Sequence, residues 1–168
     1  MVAGGDLPDE GFGSSQDLSQ ELRGIVDVSL DERGRMAVPG RYRQAFADGN
    51  GGRAVVTIDR HERCLLVYPA AEWVVVQEGL KGLHNASNRV RKVQRMLIGF
   101  AFDIEIDRQG RLLIPPKLRE YSGIERKAVL LGQLNKLELW SAEGWQQNME
   151  GWPDSGGDDE EELRELRI

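Results

Sequence analysis

Apolar residues alternate with polar ones along Val26, Val28 and Leu30, and again along Phe102, Ile104 and Ile106. A period of two is the signature of a strand buried on one face. The alternation resumes at Met36 and Val38 and at Leu112 and Ile114, after the polar stretches Asp31–Arg35 and Asp107–Arg111. Gly34 and Gly110 stand where such a turn needs a positive φ, so each pair of runs is expected to close as a β-hairpin. Pro39 and Pro115 then end the strand and pre-set the first turn of a short helix, 40–46 and 116–122. Those helices carry one apolar side each, Tyr42 with Phe46 and Leu118 with Tyr121. A second hairpin is expected from Ala54–Ile58 with Cys64–Tyr68, and from Ala128–Leu131 with Leu137–Trp140, where β-branched residues and leucines dominate. Pro69 and Ser141 mark the start of a further helix after each, Ser141 as its N-cap.

The same order thus occurs twice. Shifting the chain by 76 positions lays "LDERGRMAVP" (Leu30–Pro39) on "IDRQGRLLIP" (Ile106–Pro115), and aligns Asp27 with Asp103 and Arg43 with Arg119. With small gaps, "LLVYPAAEW" (Leu65–Trp73) answers "LELWSAEGW" (Leu137–Trp145). Two copies of about fifty residues are too few for a solenoid and suggest a pseudo-twofold body. The fold class expected is mainly β with short helices (α+β). Two modules, 22–72 and 102–152, are joined by connecting helices over 73–101 and flanked by an extension, 1–21, and a tail, 153–168.

The connecting segment differs in kind from the modules. Val90, Val93, Leu97 and Phe100 recur at helical spacing, while Arg89, Arg91, Lys92 and Arg95 make it the most basic stretch of the chain. A solvated helix face and a nucleic-acid contact both remain open for it.

Charge sharpens the division of the chain. The net charge is −6 over 168 residues, but residues 1–22 carry five acids and no Lys or Arg. The tail from Asp154 carries seven acids against Arg164 and Arg167, which leaves 23–153 at +4. Acidic, Gly-rich ends with few apolar residues are expected to be disordered or loosely ordered. The tail reads either as a solubilising flap or as an internal competitor for a basic surface. No run approaches the ~20 apolar residues of a membrane span, and the start has neither a basic leader nor an apolar run, so a cytoplasmic protein with no membrane partner is expected. Cys64, the single cysteine, sits in an apolar run and reads as a buried hydrophobe.

Little catalytic chemistry is on offer. His61 in an expected turn and His84 in a linker read as surface histidines rather than as a base or metal site, and there is no phosphate-binding glycine loop and no nucleophile elbow. No enzymatic activity, cofactor, metal or small-molecule substrate is expected. Asp31 and Asp107 are better placed to accept hydrogen bonds from backbone amides or from the arginine four residues on, shaping the loops with Gly34 and Gly110. Arg35 and Arg111 then stand just past a turn glycine. A two-stranded ribbon fits the major groove, and an arginine can donate two hydrogen bonds to guanine there. Arg33 and Arg108 in the same loops, and Arg41, Arg43, Lys117 and Arg119 beyond them, are candidate contacts to phosphate. A plain loop salt bridge, Asp31 to Arg35 and Asp107 to Arg111, is the competing use.

These paired Asp-x-x-x-Arg phrases, with "RVRKVQRMLIGFA" and "VLLGQLNKLELWSAEGW", resemble the MraZ family over about residues 22–152. The family typically starts near the "RG" of Arg23–Gly24, so the first twenty residues depart from it. The resemblance implies AbrB-type swapped-hairpin modules forming a pseudo-twofold β-barrel. It further implies a sequence-specific, nucleoid-associated transcriptional regulator that binds double-stranded DNA. The sites would be short direct repeats upstream of its own division and cell-wall gene cluster, which makes it autoregulatory. Ring-shaped, octamer-like self-association is implied too, with Arg35 and Arg111 as DNA contacts. The rival is a non-catalytic interaction module of antitoxin type that uses the acidic tail to engage a partner protein.

Overall fold

A computed structural model describes residues 21–83 and 87–152. His84, the tail 153–168 and all but the last residue of the 1–21 extension lie outside the described residues. The first repeat contains β1 (Ile25–Ser29), β2 (Arg35–Ala37), α1 (Gly40–Ala47), β3 (Arg53–Ile58) and β4 (Leu65–Pro69), and α2 (Ala70–Lys81) begins in it and runs on into the connecting segment. After α3 (Asn88–Leu97), the second repeats the order as β5 (Phe102–Glu105), β6 (Arg111–Leu113), α4 (Pro116–Ser122), β7 (Lys127–Gly132), β8 (Leu137–Ser141) and α5 (Ala142–Glu150). The protein is mainly β with several short helices. The Ser141 hydroxyl caps α5 by accepting from the Gly144 amide at 3.0 Å.

The second hairpin of each module pairs locally, β3 with β4 and β7 with β8. The first does not, which corrects the expectation of a closed hairpin at the start of each copy. Only the tight turn survives of it, as a Leu30–Met36 bridge and an Asp31 amide donating to the Arg35 carbonyl at 2.9 Å. Beyond the turn the strands part. β1 pairs antiparallel with β7 from Ile25–Leu131 to Ser29–Lys127, and β5 pairs with β3 from Arg53–Glu105 to Val56–Phe102. β2 and β6 pair with each other, centred on Met36 and Leu112. Alternation dictates which face of a strand is buried, but not which neighbour takes its hydrogen bonds. β1 finds five paired residues on β7, more than the three residues of β2 could offer.

The result is a six-stranded sheet, β1-β7-β8-β4-β3-β5, and a two-stranded ribbon, β2-β6. Exchanging the modules maps the order onto itself, with the exchange axis between β4 and β8 and between Met36 and Leu112. β1 and β5 end the large sheet, so strand pairing does not close the barrel that the resemblance implied.

Each sheet face has its own core. Val56, Ile58, Leu65, Val67, Leu130, Leu137 and Leu139 point to one side, where Met36 and Leu112 of the ribbon meet Phe46 of α1 and Leu118 of α4. On the other side, Val55, Leu66 and Tyr68 pack under Trp73 of α2 and Leu97 of α3. Val129 and Trp140 pack under Trp145 of α5 there. The Thr57 hydroxyl donates to the Leu97 carbonyl at 2.7 Å and ties α3 to that second face. Cys64 is buried in the α5 cluster, and desolvation pushes its thiol far above the ordinary range.

Asn50, passed over in the sequence, is a buried polar hinge between α1 and α2. Its amide nitrogen donates to the Ala45 and Asp48 carbonyls at 2.9 and 2.7 Å, and its oxygen accepts from the Ala71 amide at 2.6 Å. Asn50→Ala is expected to cost about 1–3 kcal/mol in chemical denaturation, because three backbone groups lose a buried partner. Residues 22–83 expressed alone are expected to be unfolded as a monomer, since β1 and β3 would each lose the partner the other module supplies. They should fold only on pairing with a second copy or with 87–152. A folded monomer in sedimentation and circular dichroism would contradict the exchanged topology.

Candidate nucleic-acid interface

The two Asp-x-x-x-Arg loops have one geometry. Asp31 Oδ1 accepts from the Arg33 and Arg35 amides, both at 2.9 Å, and Oδ2 accepts from Arg35 Nε at 2.7 Å. Asp107 accepts from the Gln109 and Arg111 amides and from Arg111 Nε, each at 2.9 Å. The Arg35 and Arg111 amides are the main cause holding the two carboxyls below the ordinary aspartate range; desolvation opposes them, and the guanidinium hydrogen bonds add to the lowering. A carboxyl lowered in this way keeps its brace at every pH above the ordinary aspartate value. The brace is released only as pH falls through the lowered one.

The brace and an outward role are therefore compatible. Each aspartate holds only Nε, and among the described residues no hydrogen bond is made by the two terminal nitrogens of Arg35 or Arg111. Their direction is set by the ribbon. Arg35 lies opposite Leu113 and Ala37 opposite Arg111, all on the face away from buried Met36 and Leu112. Antiparallel geometry puts such diagonal neighbours about 7–8 Å apart. Two arginines from the two modules thus share one outward face, with a loop beyond each end.

The glycines have two reasons to be there. Gly34 and Gly110 adopt φ of +82° and +78°. A Cβ on Gly34 would also lie 2.8 Å from Arg119 Cζ, and one on Gly110 would lie 3.0 Å from Arg43 Cζ. Each arginine comes from the opposite module and is anchored at home, Arg43 Nε donating to the Val38 carbonyl at 2.8 Å and Arg119 Nε to the Ile114 carbonyl at 3.1 Å. The loops are clamped through the backbone as well: the Gly34 carbonyl accepts from the Ile114 amide and the Gly110 carbonyl from the Val38 amide, at 2.9 and 2.8 Å. Arg43 and Arg119 therefore hold the neighbouring module's loop while adding charge beside it. The signal for this was their alignment across the repeat, but only the exchanged topology shows what they touch.

The other candidates are dispersed. Arg33 and Arg108 are exposed in the loops but are not equivalent: the partner of Arg33 across the repeat is Gln109, and that of Arg108 is Glu32. Arg41 lies against Gly24 at the start of β1 and 6.0 Å from the centre of the Tyr42 ring. Lys117 pairs with Glu120 at 3.8 Å. The basic residues of α3 stand on a helix beside β3 that reaches both cores, Leu97 packing under α2 and Met96 against the cluster that holds Met36 and Leu112. Among the described residues no group of three or more His, Cys, Asp or Glu could hold a metal ion, and no helix is long and apolar enough to cross a membrane.

Comparison with known proteins agrees with the duplication. The family model described as "MraZ protein, putative antitoxin-like" matches twice, at residues 22–96 and 97–162. A protein of Thioalkalivibrio sulfidiphilus named transcriptional regulator MraZ is 45% identical over 131 residues, covering 78% of this chain and 87% of its own length. One of the same name from Hydrogenovibrio crunogenus is 44% identical over 149 residues, 88% of this chain and 98% of that protein. The Pseudomonas aeruginosa protein of that name is 45% identical over 124 residues, 74% and 82% of the two chains. With both halves of the chain matched and relatives aligned over most of its length, the chain belongs to the MraZ family.

Proposed function

We propose that the protein is a DNA-binding transcriptional regulator that reads base edges with Arg35 and Arg111 on the outer face of the β2–β6 ribbon. The observation that carries this reading is the brace: an aspartate holds each guanidinium by Nε alone and leaves its terminal nitrogens available, on one face, from both modules. A fork held in advance loses less side-chain freedom on binding, and its two terminal donors match the O6 and N7 acceptors of guanine. Names carried by the relatives, all transcriptional regulator MraZ, support the same class of function.

The finer picture belongs to this proposal too. Arg33, Arg108, Arg43 and Arg119 supply charge near phosphates at the two ends of the ribbon, while Arg41 and Lys117 stand further off. One ribbon makes few contacts, so useful affinity calls for several copies acting together. A ring of identical chains on short direct repeats gains that through effective concentration, and the repeats upstream of a division and cell-wall gene cluster would make the protein autoregulatory. Such a protein works in the cytoplasm at the nucleoid. A purely protein-binding module would leave two outward, pre-aimed arginines without a use.

Arg35→Ala and Arg111→Ala are each expected to weaken binding to the target duplex by about 1–3 kcal/mol, or ~5- to 150-fold, with an unchanged melting temperature. Wild-type affinity in a gel-shift titration with either variant would refute the assignment. Binding is expected to weaken steadily as salt rises, and Arg33→Ala should lower the slope of log affinity against log salt by about one unit. Gly34→Ala is expected to weaken the same binding, because it strains the φ of +82° and displaces Arg119. Full affinity in that variant would show that the loop shape is irrelevant.

A further inference from the structure

The basic face of α3 is not accounted for by the ribbon. Arg89, Arg91, Lys92 and Arg95 are all exposed, and among the described residues none of them is paired with a carboxylate. On a helical wheel they span about 160° of the surface, centred away from Val90 and Leu97. The first turn of α3 holds no acid, so Arg89 and Arg91 also stand at the positive end of the helix dipole. That placement costs energy which an anion lying against the face would return.

The chain itself carries a matching anion. Residues 154–165 contain Asp154, Asp158, Asp159, Glu160, Glu161, Glu162 and Glu165 against the single Arg164. They follow α5, which packs on β7 and β8 on the sheet face that Leu97 of α3 also meets. In the sheet order β8 is two strands from β3, the strand under α3, and β7 is three. At ~4.8 Å per strand this is about 10–15 Å sideways. Sixteen residues, 153–168, can span on the order of 50 Å when extended, so reach is not limiting. The N-terminal acidic segment enters at β1, four strands from β3 at the far end of the order.

We infer that the acidic segment 153–168 docks in cis on the basic face of α3 and shields it from non-specific contact with nucleic acid. The contact itself does not depend on the function proposed above; the shielding does. Its value is discrimination: a second cationic surface would hold the protein on any duplex, and a tethered anion at high local concentration competes with phosphate for it.

Zero-length carbodiimide crosslinking of the full chain, read by peptide mass spectrometry, tests the contact without DNA. Lys92 is the only lysine on α3, with Lys81, Lys117, Lys127 and Lys136 as internal comparisons. A bond from Lys92 to a carboxylate within 154–165 is expected, fading as salt rises toward about 1 M. In a mixture of isotopically heavy and light chains, it should join heavy to heavy and light to light. Links that avoid Lys92, links from residues 1–21 in their place, or mixed heavy–light links would overturn the inference. Shielding is tested with a random-sequence duplex. The variant Asp158→Asn, Asp159→Asn, Glu160→Gln, Glu161→Gln, Glu162→Gln should bind it roughly tenfold tighter at low salt. Adding Arg89→Gln, Arg91→Gln, Lys92→Gln and Arg95→Gln should abolish that gain. An unchanged affinity in the first variant, or a gain that survives the second set, would overturn the shielding even if Arg35→Ala still weakened specific binding.

Discussion

Neither copy of the repeated unit can satisfy its own first strand. β1 and β5 leave a turn too tight to bring more than one residue pair back together, and each takes its hydrogen bonds from the third strand of the other copy. A strand with unpaired amides and carbonyls is costly to bury and hazardous to expose. The exchange removes that cost at β3 and β7 and leaves one open side on β1 and on β5. It also makes the two modules a single folding unit, with Met36 and Leu112 meeting at its centre.

The ribbon and its loops follow from the exchange. Once β1 and β5 are drawn into the large sheet, β2 and β6 are left to pair with each other. Their three-residue register points only Met36 and Leu112 inward and turns Arg35, Ala37, Arg111 and Leu113 outward. The Arg119 and Arg43 guanidiniums over Gly34 and Gly110 are a further consequence, since each helix comes to lie against the loop of the opposite module. The shape of a loop in one half is thus held by a side chain and a carbonyl–amide bond from the other. Such a site is rigid because the core beneath it is, which suits a function that depends on where two arginines point.

Two kinds of charge then stand apart. Braced arginines lie on the ribbon, and unbraced cations lie on α3, whose Met96 and Leu97 reach the cores of the two sheet faces. Net charge hides this, since a chain of −6 contains a body, residues 23–153, of +4.

Much was legible in the residues. The two Asp-Gly-Arg loops, the two local hairpins, the N-cap at Ser141 and the amphipathic α3 each rest on interactions a few residues apart, and such interactions leave periodic marks. The role of an aspartate four residues before an arginine is of this kind. Asn50 left no mark, because its partners include Ala71 on a different helix. The pairing of β1 with β7, the shared face of Arg35 and Arg111 and the clamping of Gly34 by Arg119 were likewise decided only in three dimensions. Alternating apolar residues specify which side of a strand is buried and say nothing about which strand lies beside it. Only the packing of both modules around one core makes that choice.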